Sequence, residues 1–406
     1  MNWPMVQFEQ LYSEPSRNGV YKSNEHHGEG AKIVNMGELF AYDIIGGQEM
    51  KRLRMNTSEM RKSGLMNGDL LFGRRSLVES GAGKCSLVDG LNEPTTFESS
   101  IIRVRVNNSL IRPRFIFYWL KSPHGAGKVR AIVTGTNVKG IRGTVLKTIK
   151  VPYPSIDIQD AVISTLRAYD DLIENNQRRI QLLEQAAWLL YKEWFIHLRF
   201  PGHEHVKTKD GVPDGWKKVS IPDIIEINPK ETITKGTGIL YIPMSSLSTS
   251  CMAINTEERE IREKPTSVKF RNDDTLFARI TPCLENGKTG FVNFLADNEV
   301  ACGSTEFIVL RGYQVSPYFT YCLARTYDFR ENAIKSMIGS SGRQRVQVSC
   351  FGEYKVGLPN KIILDQFDDI ASKCFRQISF LMKQNIYLQK ARDLLLPRLM
   401  NGEVAI

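Results

Sequence analysis

Long apolar runs are missing from this sequence. No stretch approaches the ~18 consecutive apolar residues that a membrane-crossing helix needs, so the reading expects no membrane association. The opening Met1-Asn2-Trp3-Pro4 has neither the basic start nor the apolar centre of a secretory leader. Cysteine is sparse: its seven copies are odd in number and form no Cys-x-x-Cys pair, which argues against a disulfide framework or a zinc site and for reduced thiols in a cytoplasm. Histidine is scarcer still. His26-His27, His124, His197 and His203-Glu204-His205 are scattered, so no metal set and no nucleophile–histidine–acid set emerges from their spacing.

Phosphate-binding loops are absent too. Gly287-Lys288-Thr289 ends like one, but Pro282 stands where the motif requires glycine, and Gly83-Lys84-Cys85 and Gly127-Lys128-Val129 fail at the last position. Asn228-Pro229-Lys230 lacks the second proline and the aromatic of an amino-methyltransferase loop, and no Gly-x-Gly cofactor loop precedes it. Nucleotide hydrolysis and methyl transfer by this chain alone are both disfavoured, and no cofactor is expected.

What the sequence does contain is itself, twice. At an offset of 205 positions Asp274-Thr275-Leu276-Phe277-Ala278-Arg279 falls on Asp69-Leu70-Leu71-Phe72-Gly73-Arg74, Val356-Gly357-Leu358-Pro359 on Val151-Pro152-Tyr153-Pro154, and Leu394-Leu395 on Leu189-Leu190. Each half is a variable head followed by a long helical segment, and two similar heads usually bind two things or two halves of one thing. The heads, residues 1–150 and 201–350, are rich in short apolar or alternating runs broken by Gly, Pro, Asn and Ser, such as Lys32-Ile33-Val34, Ser100-Ile101-Ile102-Arg103-Val104-Arg105 and Phe307-Ile308-Val309-Leu310. These are strand and turn signals, with short helices at Arg114 to Leu120 and Pro317 to Leu323, so both heads read as α+β.

Segments 151–200 and 351–406 differ in kind. Val162, Leu166, Tyr169, Ile173, Asn176, Ile180, Leu183, Ala187, Leu190 and Trp194 form a heptad seam of ten layers. Phe367, Ala371, Cys374, Ile378, Leu381, Asn385, Leu388, Arg392, Leu395 and Leu399 form a second. Each seam predicts a rod of roughly 50 Å at 1.5 Å per residue. Asn176 occupies the fifth layer and Asn385 the sixth, so antiparallel pairing sets amide against amide, whereas parallel pairing buries each against carbon. An unpartnered buried amide costs about 1–3 kcal/mol, which favours the antiparallel register; both side chains at a wetted edge is the alternative. The predicted architecture is therefore two tandem α+β heads separated by two long helices in an antiparallel coiled coil, with pseudo-two-fold internal symmetry.

Charge adds a partner class. The net charge is +10, residues 1–150 carry 22 Lys/Arg against 13 Asp/Glu, and from Ser99 through Ile156 eleven basic residues occur with no acidic one. Such a stretch repels itself unless a polyanion lies across it, and nucleic acid is the commonest polyanion in a cytoplasm. The second head is balanced, 19 basic against 18 acidic, and must rely on more specific contacts. Candidate contacts are the basic, glycine-containing loops that recur: Arg74 and Lys84 against Arg279 and Lys288, and the loop with Asn137, Lys139 and Arg142 against the loop with Ser341, Arg343, Gln344 and Arg345. Arg and Gln match guanine and adenine edges bidentately, and glycines let backbone approach phosphates. Solvated turns are the plain alternative.

These residues resemble the specificity (S) subunit of type I restriction-modification systems. The similarity rests on Asp-Leu-Leu-Phe-x-Arg at 69–74, Asp-Thr-Leu-Phe-x-Arg at 274–279, Leu284-Glu285-Asn286-Gly287-Lys288, Tyr191-Lys192-Glu193-Trp194-Phe195 running into Arg199-Phe200-Pro201-Gly202, and the terminal Leu395-Leu396-Pro397-Arg398-Leu399-Met400-Asn401-Gly402-Glu403-Val404. It covers the whole chain. Arg392 in the second seam is a departure. The resemblance implies that each head is a target-recognition domain reading one half of a split sequence in double-stranded DNA. It also implies that the helices set the spacing and dock methyltransferase (modification) subunits, with restriction subunits joining that core. Catalysis in that family resides in the partners, so no catalytic residue carries over. A self-contained methyltransferase and a coiled-coil scaffold remain as competing readings.

Overall fold

Each half builds a sheet around one six-residue strand. The computed structural model describes residues 3–404 apart from 77–80, 210, 234–237, 258 and 266–267, and it divides into two compact units: residues 1–172 with 387–406, and residues 173–386. In the first unit the strand is Ile101–Val106, paired with Leu70–Gly73 on one side and Tyr12–Asn18 on the other, both antiparallel. In the second it is Phe307–Gly312, paired with Thr275–Ala278 and Ile225–Ile227. A smaller sheet accompanies each and contains one parallel pair, His27–Val34 with Thr95–Phe97 and Ile239–Ile242 with Ala301–Gly303. The chain is thus mixed α and β, and the two halves share a core strand order to which the first adds Ile44–Ile45 at one edge and the second adds Val268–Phe270.

The helices after each long strand also repeat. Pro113–Lys121 and Pro317–Ala324 both start on proline, whose missing N–H is harmless in a first turn. The next pair, Pro123–Arg130 and Tyr327–Lys335, is capped by Ser122 and Thr326, whose hydroxyls accept from Gly125 N and Phe329 N. Each head carries the same ion triad, built on a buried aspartate with a partly exposed arginine and glutamate. Arg105 grips Asp69 with Nε–Oδ1 2.6 Å and Nη2–Oδ2 2.7 Å, Arg311 grips Asp274 at 2.7 Å twice, and the remaining guanidinium nitrogens reach Glu14 and Glu231. Removing one partner of such a buried pair costs about 3–5 kcal/mol because the other charge is stranded. The motif Asp-x-Leu-Phe is therefore read here as a core device: its aspartate anchors the arginine of the neighbouring strand.

Two helices far exceed the rest, Ile156–Tyr191 and Lys361–Met400. In the second unit Asn176 meets Asn385 while Trp194 meets Phe367, ring centroids 6.3 Å apart, so the two chains run in opposite directions there. Asn176 Nδ2 donates to Asn385 Oδ1 at 2.9 Å and to Gln384 Oε1 at 3.0 Å, and Asn385 Nδ2 donates to the Ile173 carbonyl at 3.4 Å. Both amides are buried, not wetted. In the first unit Arg392, the one charged residue of the second seam, donates to Asp170 at 2.8 Å. Asp170 also accepts from Tyr118 and, in the second unit, Glu184 accepts from Tyr321, so each head docks a tyrosine on a carboxylate of the same long helix. The rings of Tyr191, Phe195, Phe319 and Phe367 pack within 5.0 to 6.4 Å of one another, which accounts for the aromatic run at the end of that helix.

Candidate nucleic-acid interface

At the end of the Asp-x-Leu-Phe strand the backbone forms a small frame that both heads share bond for bond. In the first, Arg74 N donates to Ser100 O at 2.8 Å, Ile141 N donates to Arg74 O at 3.0 Å, and Thr134 and Gly140 exchange both backbone bonds at 2.9 and 2.8 Å. In the second, Arg279 N donates to Glu306 O at 2.8 Å, Val346 N to Arg279 O at 2.9 Å, and Ile338 and Arg345 exchange bonds at 3.1 and 3.0 Å. A loop springs from each frame, residues 135–139 and 339–344, and each starts on a left-handed glycine, Gly135 at φ +110° and Gly339 at φ +139°. A side chain at Gly135 is untenable because its Cβ would lie 2.1 Å from the Val138 carbonyl oxygen.

The frames gather most of the expected contact residues and turn others away. Asn137 and Arg142 are exposed and Lys139 half-buried on the first loop, with Lys139 paired to Ser76 across a short antiparallel ribbon. Ser341 and Arg343 are exposed on the second, and Gln344 is held by its backbone, N to Thr281 Oγ1 at 3.1 Å and O from Thr281 N at 3.1 Å. Arg74 and Arg279 fold back as braces: Arg74 Nη1 reaches Ser99 O at 3.4 Å and Arg279 Nε reaches Val346 O at 3.3 Å. Lys84 and Lys288 point elsewhere. Lys84 Nζ donates to the Phe40 carbonyl and Lys288 Nζ to the Met244 carbonyl at 3.0 Å, each latching its hairpin to the neighbouring helical turn. Partial burial holds the Lys84 ammonium below the usual lysine range.

The acid-free stretch is far less naked than its sequence implies. Of its eleven basic residues, Arg103 and Arg105 meet Glu14 and Asp69, Arg112 meets Asp160, Arg114 meets Asp89, Lys121 meets Asp43 and Lys147 meets Glu9. The expected self-repulsion is relieved from within, because folding brings in carboxylates from sequence positions outside the stretch. Lys128, Arg130, Lys139, Arg142 and Lys150 make no ion pair among the described residues. Lys128 and Arg130 end the helix Pro123–Arg130, whose Val129 would meet a side chain at Gly83, so they adjoin the first frame. They are candidates that a reading of loops alone missed, although their place in the acid-free basic run was visible.

In the second head the cationic pattern is sparser. Arg343 makes no ion pair among the described residues, whereas Arg345 is gripped by Glu306, Nε to both carboxylate oxygens at 3.0 Å and Nη2 to Oε1 at 2.6 Å. Glu306 was not recognisable beforehand, since it stands in the turn before the strand Phe307–Gly312, 39 residues away in sequence. Such surfaces can hold phosphates through unpaired cations and read base edges through oriented forks. Among the described residues no group of three or more His, Cys, Asp or Glu could hold a metal ion, all seven thiols are free, and no helix is long and apolar enough to cross a membrane.

Comparison with known proteins adds a family. The family model for the type I restriction modification DNA specificity domain matches residues 38–185. The type I restriction enzyme MjaIX specificity subunit of Methanocaldococcus jannaschii is 25% identical over 306 residues, 72% of this chain and 69% of that one. The EcoAI specificity subunit of Escherichia coli is 30% identical over 174 residues, 40% of this chain and 29% of its own length. Among solved structures, the type I restriction-modification system S subunit from M. genitalium covers 98% of this chain and 96% of its own, with a TM-score of 0.56 at 15% identity, a likeness of fold.

Proposed function

Because this chain belongs to the type I restriction-modification specificity family, we propose that it recognises a bipartite, asymmetric sequence in double-stranded DNA on behalf of that complex. Its heads, residues 1–150 and 201–350, are target-recognition domains. The segments 151–200 and 351–406 form the antiparallel coiled coil that spaces them, with Asn176 and Asn385 fixing its register. The chain itself is not an enzyme; methyltransferase and restriction subunits bind it and carry the chemistry in the cytoplasm. One observation bears most of this reading: two heads share a hydrogen-bonded frame but hang different side chains on it. A constant frame with variable loops is what two readers of two different half-sites require.

Contacts divide by chemistry. Lys128, Arg130, Lys139, Arg142 and Arg343, exposed or half-exposed and without an ion pair among the described residues, grip phosphates, while Asn137, Ser341, Gln344 and Arg345 face base edges. Methylome sequencing tests the proposal. Replacing residues 1–150 with the corresponding head of another family member is expected to change one half of the methylated motif and leave the other intact; changes in both halves, or in neither, refute it.

A further inference from the structure

The shared frame allows the two heads to be compared position by position, and at one place they differ in a way that carries chemistry. The four backbone hydrogen bonds put Gly140 where the second head has Arg345, and Ser100 where it has Glu306. One head therefore has a glycine and a serine at the two sites where the other has a guanidinium clasped by a carboxylate. Resting on the DNA-reading role proposed above, we infer that Arg345, aimed by Glu306, reads a guanine in the half-site of the second head, and that Glu306 makes that contact selective.

The geometry of the clasp decides which ligand Arg345 serves. Arg345 is clamped by backbone bonds to Ile338 on one side and bridges to Ile280 on the other, so its Cα does not wander. Its side chain is 45% exposed and that of Glu306 is 21% exposed, so the pair sits at the surface with the carboxylate the more sheltered partner. Glu306 occupies the Nε–Nη2 edge of the guanidinium. Among the described residues nothing bonds to the edge formed by Nη1 and the outer N–H of Nη2, and its two N–H groups have the spacing of guanine O6 and N7.

A phosphate is the wrong occupant for that edge. The Glu306 carboxylate cancels the arginine's charge and repels a second anion, so the pair contributes little to a sequence-blind grip. A base edge is neutral and offers acceptors to which a fixed fork still donates. Arg343, two residues away and unpaired among the described residues, serves as the phosphate contact instead. Glu306 is thus a positioning residue: it touches no base, and it acts by orienting Arg345 and by denying it to phosphates. The first head, with Gly140 and Ser100, cannot make this contact, so this clasped-arginine reading belongs to the second half-site.

The test uses methylome sequencing of cells carrying the complete system with the wild-type chain, Arg345→Ala, Arg345→Lys or Glu306→Gln. The wild-type motif is expected to hold a guanine in the second half-site. Arg345→Ala and Arg345→Lys should each relax that single position, the preference for guanine falling about tenfold or more, because lysine keeps the charge but not the fork. Glu306→Gln should weaken the same preference. It should also raise the affinity of the full chain for a duplex lacking both half-sites, with a salt dependence steeper by about one ion. Glu306→Gln puts a neutral carboxamide of nearly the same shape in place of the carboxylate and so tests the claim even if Arg345→Ala fails to fold. Retention of every motif position in the Arg345 variants, a relaxed position in the first half-site, or undiminished guanine preference with lysine overturns the inference while leaving the recognition role standing. Absence of any bipartite methylation in wild-type cells overturns both.

Discussion

Replacing Asn176 by leucine strands the amide of Asn385. Asn385 Oδ1 loses its donor, and its Nδ2 keeps only the long 3.4 Å bond to the Ile173 carbonyl, in a site 8% exposed. An unmet buried acceptor costs about 1–3 kcal/mol, against which the new leucine gains apolar burial, so a net loss of roughly 1–2 kcal/mol is expected. Asn385→Leu should be milder, because Asn176 Nδ2 retains Gln384 Oε1 at 3.0 Å. With both positions leucine no amide is left stranded, and stability should return to near or above the wild-type value. The resulting coupling, about 1–3 kcal/mol, is measured by a double-mutant cycle in equilibrium urea unfolding of the full chain followed by helical circular dichroism. Additivity within about 0.5 kcal/mol would refute the claim that the two amides form one unit.

Two further outcomes follow from the braces and docks. Lys84→Met and Lys288→Met, whose ammonium groups are engaged by the Phe40 and Met244 carbonyls, should leave the salt dependence of DNA binding unchanged, whereas Lys139→Ala and Arg142→Ala should each lower its slope by about one; equal slopes for all four variants count against the division. Burial lifts the Glu184 carboxyl above its ordinary 4.5, opposed by the Tyr321 hydroxyl and the Met252 N–H, so the folded state keeps a proton that the unfolded chain has released. Stability from this group is full below pH 4.5 and declines as pH climbs through the raised value; Glu184→Gln should flatten that part of the stability–pH curve, and an unchanged curve would dismiss the dock as a titrating site.

Much of the architecture was legible because it depends on periodicity and on likeness between distant segments, both of which are properties of order along the chain. The offset between Asp69-Leu70-Leu71-Phe72 and Asp274-Thr275-Leu276-Phe277 announced two related sheets, and the strands sit where those runs lie. Seven-residue spacing announced long helices, and each seam residue from Val162 to Trp194 is buried or half-buried. The loops carrying Lys139, Arg142, Arg343 and Arg345 were visible as basic, glycine-started turns.

Direction and pairing of side chains were not visible, and the reason is spatial. The charge of Ser99 through Ile156 looked unbalanced because the acids that neutralise it, Glu9, Glu14, Asp43, Asp69, Asp89 and Asp160, lie outside the run and are brought in by sheet order and by the first long helix. Lys84 and Lys139 look alike as letters; a nearby carbonyl makes one a latch, while the other, half-buried on its short ribbon, makes no ion pair among the described residues. Arg345 acquires its partner only when the strand Phe307–Gly312 returns beside the frame and sets Glu306 against it. Order along the chain therefore determined which elements exist and that they occur twice, while tertiary contact decided which charges remain available, since an ion pair depends on distance in space and not on separation in sequence.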